Sequence, residues 1–227
     1  MAKKEIEIVV PQSWSAVTLE NYLKLQKDLV AYGQDDEVAY VATLLYHLCG
    51  IEPGFIPQLP TNILTSVKSD LRGFMGDAEY PLQNIIKING KEYGFEPNLS
   101  TMSYGAYLDI TKYTEITIDK NWNKIMSVLY RPVTKRTLSL YEIEPYDSAK
   151  TQPELFDSVG MDVHFGAVFF FLHTLTELVQ DTLSYLKEAE VPPHIKSTLV
   201  KNGELIKQLY NYREMISPSS MIYLGSH

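Results

Sequence analysis

The chain has 227 residues, of which 45% are hydrophobic and 21% are charged, and it carries a net charge of −8 at pH 7. This composition supports a folded core and argues against a disordered chain. The acidic balance does not favour nucleic acid or an anionic membrane surface as a direct ligand, and the single cysteine, Cys49, excludes an intrachain disulfide.

The first predicted element is a strand over residues 5–10. Ile6, Ile8 and Val10 recur at every second position and would share one face, and Pro11 ends the stretch. We expect this strand to lie at the edge of a sheet, and its three apolar residues are candidates for an interface. No long apolar segment follows it, so no secretory leader is expected.

Three helices are predicted next, each with apolar residues at helical spacing. The first follows the capping residue Thr18 and ends at Gly33, and the second runs from Asp35 to Gly50, so that the two form a helical hairpin. A cluster of proline and glycine at residues 51–60 predicts a loop, and the third helix begins after it.

The sequence then changes to a strand pattern at residues 85–95. Two short strands are joined there by Asn89 and Gly90, and this dipeptide is the strongest short signal for a β-hairpin. A further helix is expected after Ser100, with tyrosine, leucine and isoleucine at helical spacing.

A short helix over residues 119–129 forms the centre of the predicted fold. Asp119 is placed to cap its first turn, and Pro132 is expected to end it, because proline disfavours helical dihedrals in the preceding residue. The basic residues 134–137 are interpreted as a turn, and residues 138–144 alternate well enough to predict one later strand.

The predicted fold class is α+β: mostly helical, with a small antiparallel sheet made of the N-terminal strand, the Asn-Gly hairpin and the later strand. Residues 1–146 form the α+β domain, and residues 147–160 form a linker or long loop. Residues 161–227 form two long C-terminal helices, a hairpin that packs on the first part. Four tail residues are interface candidates, because an apolar free terminus is unusual: Met221, Ile222, Tyr223 and Leu224.

Three consecutive phenylalanines, Phe169, Phe170 and Phe171, lie in the first of these long helices. They cannot share one face, because successive helical positions are about 100° apart. We therefore expect this helix to be surrounded, either as the central core helix or by another subunit or partner, and all three are interface candidates. The apolar run around them has ten residues, whereas a membrane span needs about 20, so no span is predicted.

No pattern of catalytic, metal-binding or cofactor-binding residues stands out. His173 and Glu177 are four residues apart on a predicted helix, but further metal ligands cannot be named. Glu142 and Glu144 share one face of the later strand, yet no apolar pocket accompanies them. We therefore predict no enzymatic activity, no metal and no cofactor.

Arg131 is the most informative charged residue, because it follows a predicted buried helix. A structural ion pair with a carboxylate such as Asp109 or Glu144 is favoured over ligand binding. Lys135 and Arg136 could touch nucleic acid, but two charges in an acidic chain are explained equally well by a solvated turn.

Most of the chain resembles small virion structure and assembly proteins of tailed bacteriophages, notably crAss-like phages. The resemblance implies either a component of the ring stack from portal to tail or a tail assembly chaperone, and it implies no functional residue. The segments that carry it are GKEYGFEPNLS at 90–100, YGAYLD at 104–109, MSVLYRPV at 126–133, YEIEPY at 141–146 and MDVHFGAVFFF at 161–171.

These observations lead to the hypothesis of a non-enzymatic phage structural protein in the portal or tail assembly, which acts through protein–protein interfaces. The alternative is a transient tail assembly chaperone that the particle does not retain. The expected partners are other phage structural proteins and further copies of the chain, with no membrane partner. The protein would be made in the cytoplasm of the bacterial host and end in the virion.

Overall fold

The protein is α+β, and its strands form a four-stranded antiparallel sheet. The computed structural model describes residues 8–32, 37–76, 80–116, 118–138 and 140–188. Contacts among these residues define two compact units: residues 8–76 with 158–162, and residues 80–157 with 163–188. This division falls at other positions than the sequence-based division at residues 146 and 161.

The first unit is helical. It contains α1 (Leu19–Tyr32), α2 (Glu37–Cys49) and α3 (Thr61–Met75). The Asn21 amide donates to Thr18 Oγ1 at 3.3 Å, so that Thr18 caps α1 as the sequence predicts. The Trp14 ring stacks on Phe74 with ring centres 4.5 Å apart. Trp14 is buried, and it supplies part of the core of this unit.

The predicted N-terminal strand is not confirmed. Ile8, Val9 and Val10 lie outside any strand, and Val9 is exposed. Ile6, the first candidate on the predicted face, lies outside the described residues.

The second unit holds the sheet, with strands in the order β1-β2-β3-β4. Its strands are β1 (Ile85–Ile88), β2 (Lys91–Phe95), β3 (Tyr130–Thr137) and β4 (Leu140–Ile143). Asn89 and Gly90 join the first two with φ angles of 51° and 81°. Positive φ at both positions is what a two-residue type I′ turn requires, and the predicted hairpin is confirmed.

Sequence analysis missed β3, because this strand starts directly after α5 (Ile118–Leu129) without a loop. Pro132 lies inside β3, where its carbonyl accepts a hydrogen bond from the Glu144 amide at 2.9 Å. The basic residues 134–137, predicted as a turn, are instead the outer part of this strand. α5 begins one residue before Asp119, the predicted cap.

The remaining α-helices among the described residues are α4 (Tyr104–Ile116) and α6 (Met161–Glu188). Trp122 of α5 is buried and meets His164 and Phe165 of α6 edge-on, with ring centres 6.1 and 6.3 Å apart. Within the second unit, α5 and α6 therefore share an aromatic core. The second predicted long helix and the tail candidates Met221, Ile222, Tyr223 and Leu224 lie outside the described residues.

The three consecutive phenylalanines do not have the environment that the sequence suggested. Phe171 is buried and Phe169 is partly buried, stacking on Phe165. Phe170 meets Phe95 edge-on, with ring centres 5.7 Å apart, yet it remains 41% exposed. α6 is thus exposed at Phe170 within the chain, so the fold itself does not surround this helix there, and cover by another subunit or partner stays a prediction.

Candidate functional site

The inner end of β3 holds a buried ion pair. Arg131 lies opposite Gly94 of β2, and its Nη2 donates to Glu96 Oε2. Both side chains are only 10% exposed. The partner is neither Asp109 nor Glu144, the two carboxylates that sequence analysis named. Losing either member would leave the other charge buried without compensation, which is strongly destabilising.

A second polar contact lies next to this pair. Asp109 of α4 accepts a hydrogen bond from the Tyr146 hydroxyl, and the Arg131 guanidinium lies 6.0 Å from the centre of the Tyr146 ring. Burial, together with the hydrogen bond to Asp109 and the charge of that carboxylate, raises the pKa of Tyr146 well above its usual value. Tyr146 therefore stays protonated at neutral pH and ties the segment after β4 to α4.

Tyr141 of β4 lies over the surface of β2. Its hydroxyl donates to the Phe95 carbonyl at 2.8 Å, and its ring covers Gly94. A Cβ at Gly94 would lie 2.6 Å from Tyr141 Cε2 and 2.7 Å from Ile143 Cγ2, so only glycine fits without a shift. Burial and the nearby Glu96 carboxylate raise the pKa of Tyr141. This contact holds β4 against β2, although the two strands are not paired.

A small cleft lies beside these contacts. Its volume is about 40 Å³, and its lining includes Tyr93, Arg131, Glu144, Lys150 and Phe156. A buried water needs roughly 10–15 Å³ on the same scale, so the cleft has room for a few waters. Binding pockets for small molecules usually measure about 300–1,000 Å³. The cleft is therefore much smaller than a pocket for a metabolite.

The other candidates for chemistry are dispersed. His173 Nε2 and Glu177 Oε1 are 3.3 Å apart on α6, and both side chains are largely exposed. Glu142 pairs with Lys135 at 3.4 Å on the surface, whereas Glu144 lines the cleft. Among the residues that the structure describes, no three histidine, cysteine or carboxylate side chains lie close enough to hold a metal ion.

The apolar run around the three phenylalanines lies in α6. No helix in the described part of the chain has the length and apolar character that a bilayer crossing needs.

Among the residues of the second unit whose burial is described, the most exposed large apolar side chains lie on a two-stranded ribbon. Residues 133–138 and 140–143 form this ribbon, which we call the arm. Leu138 is 95% exposed and Leu140 is 75% exposed. Leu138 also has a φ of 51°, a left-handed conformation that costs a residue such as leucine about 1 kcal/mol. The arm thus presents two large apolar side chains that the fold itself does not bury.

The charged residues of the arm make surface pairs. Lys135 Nζ lies 3.4 Å from Glu142 Oε1, and Arg136 Nη1 lies 2.8 Å from Glu92 Oε1 of β2. Exposed pairs of this kind contribute about 0–1 kcal/mol, so either cation can exchange its partner readily. The arm therefore has apolar groups at its tip and surface ion pairs along its length.

A second exposed apolar surface lies on α4. Tyr104, Tyr107 and Leu108 are all exposed, and Tyr104 is 74% exposed. Their spacing places them on one face of the helix. The two tyrosine rings stack with centres 6.5 Å apart. We call this surface the α4 patch.

Sequence analysis named neither surface. Leu138 and Leu140 alternate with polar residues, as in any half-buried strand, and nothing local shows that this strand leaves the sheet. Tyr104 and Tyr107 have the helical spacing that equally predicts a core face. Of the candidates it did name, Ile8 and Val10 are partly buried, and Phe170 is partly exposed as described above.

The described residues therefore form a hydrogen-bonded polar network around Arg131 and Tyr146, a cleft with room for a few waters, and two exposed apolar surfaces. None of these is a signature of one protein family. Comparison with known proteins found no matching family model, no matching curated protein and no matching solved structure.

Proposed function

We propose that this chain is a non-enzymatic structural protein of a tailed bacteriophage, a component of the portal or tail assembly that acts through contacts with other proteins. The observation that carries the proposal is the exposed pair of leucines on the arm, Leu138 and Leu140. The resemblance to virion structure and assembly proteins supplies the biological setting.

The fold leaves both leucines of the arm exposed. Full burial of one leucine side chain stabilises by about 1.5–3 kcal/mol. Leu138 obtains almost none of this in the isolated chain, and Leu140, which is 75% exposed, obtains only a minor part. Leu138 also has an unfavourable backbone conformation. A partner that covers the arm would recover that free energy, which favours a binding role for it.

The polar groups support the same reading. Arg131 is bound by Glu96, and Asp109 is bound by Tyr146. These side chains bond to each other beside a cleft of about 40 Å³, and such contacts are suited to holding strands and helices in place. A catalytic role would require a free acid, base or nucleophile facing a pocket of substrate size.

The expected partners are other phage structural proteins and further copies of this chain. The protein would be synthesised in the cytoplasm of the bacterial host and then enter the virion. Both statements depend on the resemblance.

The second candidate is a transient tail assembly chaperone that shields an apolar segment of another phage protein and then leaves. The small size of the exposed surfaces favours this alternative, because contacts that bury less than about 1,200 Å² in total are commonly transient. Two exposed leucines and the α4 patch would suit a partner that must be released.

Quantitative mass spectrometry of purified particles separates the two candidates. We expect many copies of the chain per particle if it is structural, and almost none if it is a chaperone. Particles should not form, or should lack tails, when the gene is deleted, and the wild-type chain should restore them.

Two variants make the complementation test specific. Leu138→Asn combined with Leu140→Thr removes the apolar tip and should fail to restore particles. Glu144→Gln combined with Lys150→Ala changes cleft groups and should restore them fully. Loss of particles with the cleft variant alone would overturn the proposal and point to chemistry in the cleft.

A further inference from the structure

We infer that the turn between β1 and β2 is a site of spontaneous covalent modification. Asn89 cyclises onto the backbone nitrogen of Gly90, and water then converts it to aspartate or isoaspartate. This inference depends on the local geometry of the turn and is independent of the proposed function.

The residue that follows Asn89 distinguishes it from the other asparagines in the described part of the chain. Asparagine is among the thermolabile residues of proteins, and a side chain on the next residue hinders approach of that residue's nitrogen to the asparagine amide. Asn89 is followed by glycine, and no atom lies within 4 Å of a Cβ built at Gly90. The other asparagines are each followed by a residue with a long or bulky side chain: Asn21, Asn62, Asn84, Asn98, Asn121 and Asn123.

Both reacting groups are exposed to solvent and unbonded. Asn89 and Gly90 are exposed, and neither the side-chain amide of the first nor the N–H of the second bonds to any described residue. In a two-residue hairpin the closing hydrogen bonds belong to the flanking residues, which are Ile88 and Lys91 here. The fold therefore leaves the side-chain amide and the backbone amide available for reaction.

The reaction needs no cofactor, oxidant or reductant. Hydroxide removes the Gly90 amide proton, the nitrogen forms a bond to Asn89 Cγ, and the Cγ–Nδ2 bond breaks with release of ammonia. Water then opens the resulting succinimide ring. Breaking the bond between the nitrogen and Cγ gives aspartate, whereas breaking its bond to the Asn89 main-chain carbonyl carbon gives isoaspartate.

The turn itself controls how fast the ring can form. A type I′ turn holds ψ of its first central residue near about 30°, which places the Gly90 nitrogen nearly opposite Asn89 Cβ across the Cα–C bond. The nitrogen reaches Cγ only when the turn opens. β1 is an edge strand of four residues, so its tip can open locally without unfolding the rest of the sheet.

The two products have different consequences for the hairpin. Asp-Gly suits a type I′ turn as well as Asn-Gly does, so the aspartyl product keeps the turn. Isoaspartate adds a methylene group to the main chain, which a two-residue turn cannot accommodate. Because the turn sets the register of the hairpin, we expect this product to release β1, whose Ile86 and Ile88 are buried.

Peptide mapping by mass spectrometry tests the site. The full-length chain is incubated at mildly alkaline pH, folded or in urea, and the conversion of each asparagine is followed over time. We expect Asn89 to convert in the folded chain, more slowly than in urea, while the exposed Asn84 stays unchanged because Ile85 follows it. Asn89→Gly should abolish the conversion and retain the turn, since Gly-Gly also suits type I′.

A second Asn-Gly pair provides an internal standard for the same sample. Asn202 and Gly203 lie outside the described residues, and their conversion shows that the incubation was long enough. If Asn202 converted in the folded sample and Asn89 converted only in urea, the turn would not open and the inference would be wrong.

Hydrogen exchange tests the consequence for β1. Asn84 and Phe95 are joined by a backbone hydrogen bond of 2.8 Å, so the alternation of an antiparallel pair places Ile86 and Ile88 in bonded positions. We expect their amides to lose protection in the purified isoaspartyl form. Asn89→Asp is the matched control, because it carries the same charge on an ordinary main chain and should keep that protection. Equal protection in both forms would reject the release of β1.

Discussion

The two halves of β3 belong to one strand and have opposite surroundings. The inner half pairs with β2 and holds Tyr130 and Arg131, both of which are buried. The outer half pairs with β4 alone, and its residues 134–137 are all exposed. The register shifts between Val133 and Lys135, which marks the boundary. One strand thus anchors the sheet at one end and displays side chains at the other.

The difference gives the inner half a role in stability, and under the proposed function the outer half has a role in binding. A two-stranded ribbon is marginally stable alone, so the arm depends on the inner half and on Tyr141 over Gly94 for its position. Substitutions in the inner half should therefore lower the free energy of unfolding. Substitutions at the tip should leave it nearly unchanged and affect association with partners.

The largest effect is expected at the buried ion pair. Glu96→Ala leaves the Arg131 guanidinium buried without its carboxylate, and breaking such a pair costs about 3–5 kcal/mol. Urea unfolding followed by circular dichroism would measure the loss. The matched control is Glu142→Ala, which removes the carboxylate of the exposed pair on the arm and should cost less than about 1 kcal/mol. If Glu96→Ala and Glu142→Ala lowered the free energy of unfolding equally, the distinction between the inner and outer halves of β3 would be wrong.

The next effect is expected at Gly94. Gly94→Ala places a Cβ 2.6 Å from the Tyr141 ring, and overpacking of this kind typically costs about 1–3 kcal/mol. Gly73→Ala is the control, because no atom lies within 4 Å of a Cβ added to that helical residue. The control should be neutral or slightly stabilising. Adding Tyr141→Ala to Gly94→Ala should relieve only part of the clash, because Ile143 Cγ2 also lies 2.7 Å from the added Cβ. The two substitutions should therefore cost less together than the sum of their separate costs, and strict additivity would show that the Tyr141 ring does not limit the site.

Elements that depend on nearby residues could be predicted from the sequence, whereas elements that depend on distant partners could not. Asn89 and Gly90 determine their turn through their own backbone preferences, so the β1–β2 hairpin can be predicted from these two residues. β3 could not be predicted in this way. Pro132 follows the end of a helix, as its local preference predicts, but it also lies in β3, where its carbonyl accepts a hydrogen bond. Whether a strand follows a helix without a loop depends on the β2 partner, which is distant in sequence.

The candidate site shows the same limit. Arg131 could be singled out as a charge after a buried helix, but its partner depends on the pairing of β3 with β2. That pairing places Gly94 opposite Arg131, and Glu96 follows two residues later. Asp109 is instead occupied by Tyr146. The exposure of the two arm leucines could not be predicted either. Alternation of apolar and polar residues indicates the two faces of a strand, but it does not indicate whether either face is covered.

A smaller effect is expected from Tyr146, which ties the segment after the arm to α4. Tyr146→Phe removes the hydrogen bond to Asp109 and should cost about 1 kcal/mol at neutral pH. The raised pKa of this tyrosine means that the folded state holds the phenolic proton more tightly than the unfolded state. Its contribution is therefore complete below about pH 10, the pKa of an unperturbed tyrosine, and is lost as the pH rises toward the folded value.

Unfolding free energies measured between neutral and alkaline pH would test this assignment. The wild-type chain should lose stability more steeply above pH 10 than the Tyr146→Phe chain does. Tyr104→Phe is the control, because that exposed residue makes no contact through its hydroxyl that the fold depends on. Parallel curves for wild type and Tyr146→Phe would show that another group causes the alkaline loss.

The smallest effect on stability, and the sharpest test of the comparison, is expected at the tip. Leu138→Asn removes a side chain that the fold leaves exposed at a φ of 51°. Asparagine adopts this left-handed conformation more easily than leucine, so the free energy of unfolding should stay constant or rise by up to about 1 kcal/mol. Association of the chain with its partner should be lost in the same variant. If Leu138→Asn instead lowered stability by as much as Gly94→Ala, the outer half of β3 would belong to the core, and the division of the strand into an anchor and a display surface would be wrong.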